Sequence, residues 1–158
     1  MKNRYDTYCG LNCGACPVGL ANDRGDTGRI NAMAEEWGRL AEELVCGGCK
    51  TDKTAVFCTD CRMRLCAREK GLEFCVDCDD FPCSTISDFR NDEAPHHSVV
   101  LRNLELIGKL GVKTWLENEA RRWSCPECGT RFHWYSETCE ECGCSLYNAV
   151  SEEKDLEV

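Results

Sequence analysis

Sixteen cysteines in a chain of 158 residues constrain what this protein can fold into more than any other feature. Cysteine at a tenth of the chain is far above the usage of an ordinary globular domain, so something besides an apolar core organises the fold. Cysteine-dense chains are disulfide scaffolds in oxidising compartments and metal proteins in reducing ones. Met1 to Asp6 lead straight into cysteines with no apolar stretch of signal-peptide length, and no uncharged apolar run is long enough to cross a bilayer. The expectation is a cytoplasmic protein whose thiolates stay reduced and hold metal.

The strongest local spacing is Cys125-x2-Cys128-x10-Cys139-x2-Cys142. Each pair is followed by a glycine, Gly129 and Gly143, which lets the chain turn tightly while backbone N–H groups point at the sulfurs. Two such knuckles present four ligands tetrahedrally. Thr130 to Tyr135 between them is rich in aromatic and branched residues, as a ribbon strand should be. The reading is a zinc ribbon with a structural zinc, because closed four-thiolate sites hold folds whereas catalytic sites keep a position open. Cys144 is a fifth cysteine, expected to stand by rather than ligate.

The first part of the chain carries eleven more cysteines, one fewer than three tetrahedral sites require. They sort into three triples, Cys9 with Cys13 and Cys16, Cys58 with Cys61 and Cys66, and Cys75 with Cys78 and Cys83, and one pair, Cys46 with Cys49. The second and third triples repeat one spacing, Cys-x2-Cys-x4-Cys, which reads as two tandem metal loops. If the pair completes two triples, the third keeps an open position unless His96, His97 or a carboxylate closes it, or one sulfur bridges two metals. Pairing the Cys-x2-Cys units with each other is an equal alternative, and spacing does not choose between them. With the ribbon, about four zinc ions are expected. Cys9-x3-Cys13-x2-Cys16 is also the spacing that holds three corners of a four-iron cluster in radical S-adenosylmethionine enzymes, which are longer than this chain. An iron–sulfur centre at these three cysteines, redox or enzymatic, is therefore the alternative to zinc.

Helical periodicity surrounds the cysteine groups. Asp26 or Thr27 caps a helix in which Ile30, Met33, Ala34, Trp37, Leu40, Ala41 and Leu44 recur on one face. Thr59 caps a shorter one running to Lys70 and stopped by Gly71, and Ser84 to Arg90 form another. Asn91 to His97 read as a linker in which the two histidines are solvated. Ser98 then caps a helix ended by Gly111, and a second helix leads to Cys125. The fold class is a small metal-organised α+β protein. Residues 1–94 form a cysteine-rich metal-binding domain with short helices, 95–150 a helical segment plus zinc ribbon, and 151–158 a frayed acidic tail.

A formal charge of −9 limits the partners, and four zinc-thiolate sites, each carrying about −2, would nearly double it. Such a surface repels phosphate backbones, so nucleic-acid binding would have to rest on local basic patches. Arg121, Arg122 and Arg131, interleaved with Trp123, Phe132, His133, Trp134 and Tyr135, are one candidate for stacking on single strands. A small ribbon also needs aromatic rings to cover its metal. Arg62, Arg64, Arg68 and Lys70 read as counter-charges to the nearby thiolates. The sequence holds no nucleophile motif, phosphate loop or catalytic carboxylate pair. The reading is an interaction or adaptor module for an unidentified protein partner, with Trp115, Trp123 and Trp134 supporting its binding surface.

Cys9-Gly10-Leu11-Asn12-Cys13-Gly14-Ala15-Cys16-Pro17, Cys46-Gly47-Gly48-Cys49, Cys66-Ala67-Arg68-Glu69-Lys70-Gly71 and Phe81-Pro82-Cys83 occur in that order. This arrangement resembles the prokaryotic family catalogued as domain of unknown function 3795, over residues 5 to 90. Members often carry a ribbon behind that region, and Arg122-Trp123-Ser124-Cys125 with Trp134-Tyr135 is similar to it. The resemblance implies a cysteine-rich metal-binding fold and transfers no activity.

Overall fold

In the computed structural model, which describes residues 4–156, short helices alternate with cysteine-bearing turns. Helix α1 (Pro17–Arg24) starts with Pro17, whose fixed φ and missing N–H suit a first turn, and stops at Gly25. Helix α2 (Thr27–Glu36) is capped by Asp26, whose carboxylate accepts the Arg29 N–H at 2.9 Å. The sequence predicts that this helix continues to Leu44. It ends eight residues earlier because Gly38 takes a φ of 62°, and the chain resumes as a 3₁₀ turn at Ala41–Leu44. The break rotates Leu44 into the core and leaves Trp37 and Leu40 facing solvent.

Helix α3 (Val56–Thr59) precedes α4 (Arg62–Lys70), and Cys61, not Thr59, stands at the N-cap of the longer helix. The Thr59 hydroxyl bonds back to the Ala55 carbonyl instead. Gly71 stops α4 as predicted, and α5 (Ser84–Arg90) has the expected bounds. Helices α6 (Val100–Leu110) and α7 (Val112–Arg122) form a hairpin around Gly111. Ser98 does not cap α6, because its hydroxyl donates to the Pro95 carbonyl at 2.8 Å. Residues 151–156, predicted as a frayed tail, belong to α8 (Ala149–Leu156). Glu152 anchors that helix: it is buried and accepts from Arg102 at 2.6 Å and Arg122 at 3.0 Å. Residues 157 and 158 lie outside the described residues.

The α+β assignment is corrected. Among the described residues there is no sheet, and the expected strand at Thr130 to Tyr135 is reduced to a single bridge, Ser124 to Arg131, with a second at Thr138 to Ser145. The backbone of this segment is shared among several partners. Phe132 N–H goes to Trp123, Trp134 N–H to Ala15 and Ala149 N–H to Trp134, so no ladder extends past one rung.

Three apolar clusters fill the interior. The first joins Cys9, Met63, Phe74 and Ile86 to Val100, Leu104, Ile107 and Trp115, so the α6–α7 hairpin backs the cysteine-bearing turns. The second gathers Trp123, Phe132, Trp134, Leu146 and Ala149 around Cys125 and Cys139, with Ala15 inserted from the N-terminal part. The third packs α1 and α2 against Leu44 and Ala55.

His96 and His97, expected to be solvated, are half-buried in the 3₁₀ turn Pro95–His97. His96 stacks on Trp134 with ring centroids 4.0 Å apart and bonds Tyr135 through Nδ1 at 2.5 Å. His97 stacks on Phe89 and pairs with Asp92 at 2.8 Å. Burial, helped by the charge of His97 and opposed by Asp92, pushes His96 down to about 3. The folded imidazole is therefore neutral while the unfolded one takes a proton near 6.5. Its contribution to stability is full above pH 6.5 and is lost as pH falls toward about 3. His96→Phe should flatten the acid side of a melting-temperature profile relative to the unmodified chain. Equal slopes in both proteins would show that His96 does not carry the effect.

Candidate metal centre

The C-terminal cysteines sit on two knuckles with one backbone pattern. In the first, Cys125 N–H donates to the Thr130 carbonyl and Gly129 N–H to the Cys125 carbonyl, both at 2.8 Å. In the second, Cys139 N–H donates to Cys144 and Gly143 N–H to Cys139, both at 2.9 Å. Gly129 and Gly143 have φ of 77° and 73°, a conformation that other L-residues enter at a steric cost. Cys125, Cys128, Cys139 and Cys142 are the one group among the described residues whose ligand atoms all lie within 4.8 Å of one another. Cys125 to Cys142 is 3.6 Å and Cys128 to Cys139 is 3.5 Å. A tetrahedral ion with metal–sulfur bonds of ~2.3 Å sets its sulfurs ~3.8 Å apart, so the cage fits a thiophilic ion with movements of a few tenths of an ångström.

Electrostatics favour the thiolate at two of these sulfurs, Cys125 and Cys128, and oppose it at Cys142, which, against the backbone N–H of Cys144, desolvation and the neighbouring thiols of Cys125, Cys144 and Cys128 hold up. Backbone N–H groups of Cys128 and Glu127 point at Cys125 and, against the effect of burial, bring its thiol down to about 6. The Thr130 side chain and N–H lower Cys128. Cys125 and Cys139 are buried and Cys128 and Cys142 are exposed, so one side of the cage rests on the core and the other faces water. Cys144 occupies the place in the second knuckle that Thr130 holds in the first. Its sulfur is 3.3 Å from Cys125, as Thr130 Oγ1 is 3.3 Å from Cys128. Cys144 is outside the mutual group of four, yet its sulfur stands closer to Cys125 than that of Cys142 does.

The N-terminal cysteines gather in two regions. Cys13 and Cys46 line one small cleft with Gly19 and Gly48. Cys66, Cys75, Cys78 and Cys83 line another. Burial, and then neighbouring thiols, push Cys9 up to about 12, with Cys49 and Cys61 as the thiol neighbours. Burial pushes Cys16 up to about 11, with Cys46 beside it. Cys58 is raised by burial and then by Cys16, Cys46, Cys49 and Cys61. Burial and then Cys83, Cys66, Cys61 and Cys78 push Cys75 up to about 12. Thiols packed this closely cannot all ionise without a cation between them.

The basic residues serve the cysteine loops directly. Arg64 is buried and its guanidinium donates to the carbonyls of Cys49 at 3.0 Å and Thr51 at 3.2 Å, clamping the loop that carries Cys46 and Cys49. Lys70 lies 3.3 Å from the Cys78 sulfur, and that sulfur together with Asp80 holds its ammonium in the charged form. Arg131 is spent on Asp23, Tyr5 and the Gly14 carbonyl. Lys50 was not singled out in the sequence, although it seats the same loop. Its ammonium is 3.0 Å from the buried Asp6 and 3.6 Å from the centre of the Phe74 ring.

Trp115, Trp123 and Trp134 are 1%, 6% and 9% exposed, so they are core residues and offer almost no surface of their own to a partner. The exposed large apolar residues include Trp37, Leu40 and Phe57 instead. Gly38 is the sequence signal that could have revealed this, since it ends the amphipathic face before Trp37 can be buried. Among the described residues, no helix is long and apolar enough to cross a membrane.

Comparison with known proteins agrees with the N-terminal motifs. The profile of the family described as "Protein of unknown function (DUF3795)" matches residues 5–88. Neither the curated proteins nor the solved structures return a match. The matched region takes in every cysteine of the N-terminal groups and stops before the paired knuckles. Matched over more than half its length, the chain belongs to the DUF3795 family.

Proposed function

We propose that this protein is a zinc-organised interaction module of the cytoplasm, in which structural zinc ions hold the turns and an exposed apolar face receives a protein partner. Zinc at Cys125, Cys128, Cys139 and Cys142 makes the C-terminal unit a compact zinc ribbon. The remaining ligands are Cys9, Cys13, Cys16, Cys46, Cys49, Cys58, Cys61, Cys66, Cys75, Cys78 and Cys83. The observation that carries the interaction reading is the face around Trp37 and Phe57. Their rings meet edge to face with centroids 6.2 Å apart while remaining 43% and 51% exposed, and Leu40, three residues past Trp37 in sequence, is 61% exposed. Apolar side chains left in water together, aromatic ones above all, mark contact surfaces.

Photo-crosslinking tests this. A crosslinking residue placed at Trp37 in the source cells should give discrete protein adducts that Phe57→Asp removes, while the same residue at Glu105 on α6 should give none of them. Identical adducts from both positions would overturn the reading. Elemental analysis of anaerobically purified protein tests the metal: zinc in a colourless solution supports it. Iron with sulfide and a visible chromophore would instead favour an iron–sulfur centre at Cys9, Cys13 and Cys16.

A further inference from the structure

The spacing of the cysteines groups Cys66 with Cys58 and Cys61, and the fold sets it in one cleft with the other triple. Cys66 lies on α4 one turn before Lys70, so the two share a face. That face borders a cleft of about 60 Å³, which Cys75, Cys78 and Cys83 also line. The Cys75–Asp77 turn presents two of these sulfurs. It is closed by the Cys78 N–H on the Cys75 carbonyl at 3.2 Å and tied to the N-terminal segment by Cys75 N–H on the Tyr8 carbonyl at 2.8 Å. Cys83 stands at the N-cap of α5. Four thiols from three segments therefore line one cleft, and Ala67, Leu72, Phe81 and Ile86 form its apolar lining. Cys58 and Cys61 are outside that lining, although Cys61 is near enough to Cys75 for its thiol to act on it. No three of the four lining sulfurs all lie within 4.8 Å of one another, so an ion would have to draw them together by side-chain rotation as it binds.

Core packing does not account for this cluster. Cysteine used as a small apolar residue is among the most buried side chains, yet Cys66 and Cys83 are exposed. All four are free thiols in this structure. A cation is also in place to offset surplus thiolate charge: Lys70 Nζ is 3.3 Å from the Cys78 sulfur and 3.2 Å from Asp80. We propose that Cys66, Cys75, Cys78 and Cys83 together hold one thiophilic divalent ion, zinc in the first instance, as a four-thiolate site separate from the C-terminal one. The assignment rests on the metal-organised reading above and divides the first part's eleven cysteines into four here and seven around Cys13 and Cys46. Binding releases the thiol protons to solvent and involves no redox step. The ion would pin α4, the Cys75–Asp77 turn and α5 to one another from the solvent side.

The test is a chelator titration of the zinc-loaded full chain, with pulsed maleimide labelling of each cysteine read by peptide mass spectrometry. Cys66, Cys75, Cys78 and Cys83 should become reactive in one step, as one equivalent of zinc leaves, at a chelator concentration different from that exposing Cys125, Cys128, Cys139 and Cys142. Cys66 opening in step with Cys58 and Cys61 while Cys83 stays protected would overturn the assignment. So would free reactivity of Cys66 and Cys83 in the loaded protein, or iron with sulfide at these cysteines. A thermodynamic check uses variants: Cys83→Ser and the Cys66→Ser/Cys83→Ser pair should each lose the same single equivalent of zinc, and a loss of two by the pair rejects the shared ion. Failure here with intact protection of the C-terminal four rejects this site alone, whereas loss of protection at all sites rejects the metal-organised reading itself.

Discussion

Withdrawing metal from the paired knuckles at neutral pH should unfold the C-terminal core. Two of the four sulfurs, Cys125 and Cys139, are members of the same apolar cluster as Trp123, Phe132 and Trp134, so the cage and the core are one structure. A structural zinc contributes on the order of 10 kcal/mol of apparent folding free energy at neutral pH, comparable to the ~5–15 kcal/mol that keeps a whole domain folded. Apolar burial cannot replace it, because no sheet underlies the knuckles among the described residues and each is closed by a few backbone hydrogen bonds. The measurement is tryptophan emission with near-ultraviolet circular dichroism during chelation. Trp123 and Trp134 should shift to the red as they meet water, and Cys139→Ser should show the same spectrum without chelator. A metal-free chain that keeps its near-ultraviolet signal and a cooperative melt would show that the core stands without the ion. Lowering the pH should ease the release, since the thiolates compete for protons.

The knuckles were the most legible part of the sequence because everything that defines them is local. Ligand spacing, the glycine after each pair and the N–H groups that face the sulfurs all lie within six residues of one another. Helix stops were legible for the same reason, at Gly71 and Gly111. What the sequence misplaced depends on distant partners. The expected strand after Thr130 did not form a ladder because Ala15, more than a hundred residues away, takes the Trp134 N–H. His96 and His97 looked solvated in an Asp-Glu-Pro segment, and Trp134 and Phe89 cover them. The repeat of Cys-x2-Cys-x4-Cys suggests two equivalent loops, and in the fold Cys66 lines one cleft with the cysteines of the second loop. Periodicity reports a local conformation, and the grouping of thiols is a tertiary property.

Among single substitutions outside the metal sites, Trp115→Ala has the largest expected effect. Trp115 is 1% exposed at the centre of the cluster formed by Val100, Leu104, Ile107, Phe74 and Ile86. Truncating a buried aromatic side chain to alanine costs about 3–5 kcal/mol, a large share of the total stability. The indole is not held there by a polar contact, since Nε1 has no hydrogen-bond partner. Trp115→Phe therefore removes an unsatisfied donor, whose burial costs about 1–3 kcal/mol, while giving up part of the packing volume. The phenylalanine variant should lose well under half of what the alanine variant loses. The same cluster contains Cys9 and supports Cys61 and Cys75, so the cavity in Trp115→Ala lies directly behind the N-terminal thiols. Its melting should fall together with the zinc retained by the N-terminal part, while the C-terminal ion stays bound. Melting curves and zinc counts on both variants check this. Equal losses for phenylalanine and alanine would mean that the indole nitrogen matters to the fold. A destabilised alanine variant with full zinc content would mean that the thiol groups are organised independently of the helical hairpin behind them.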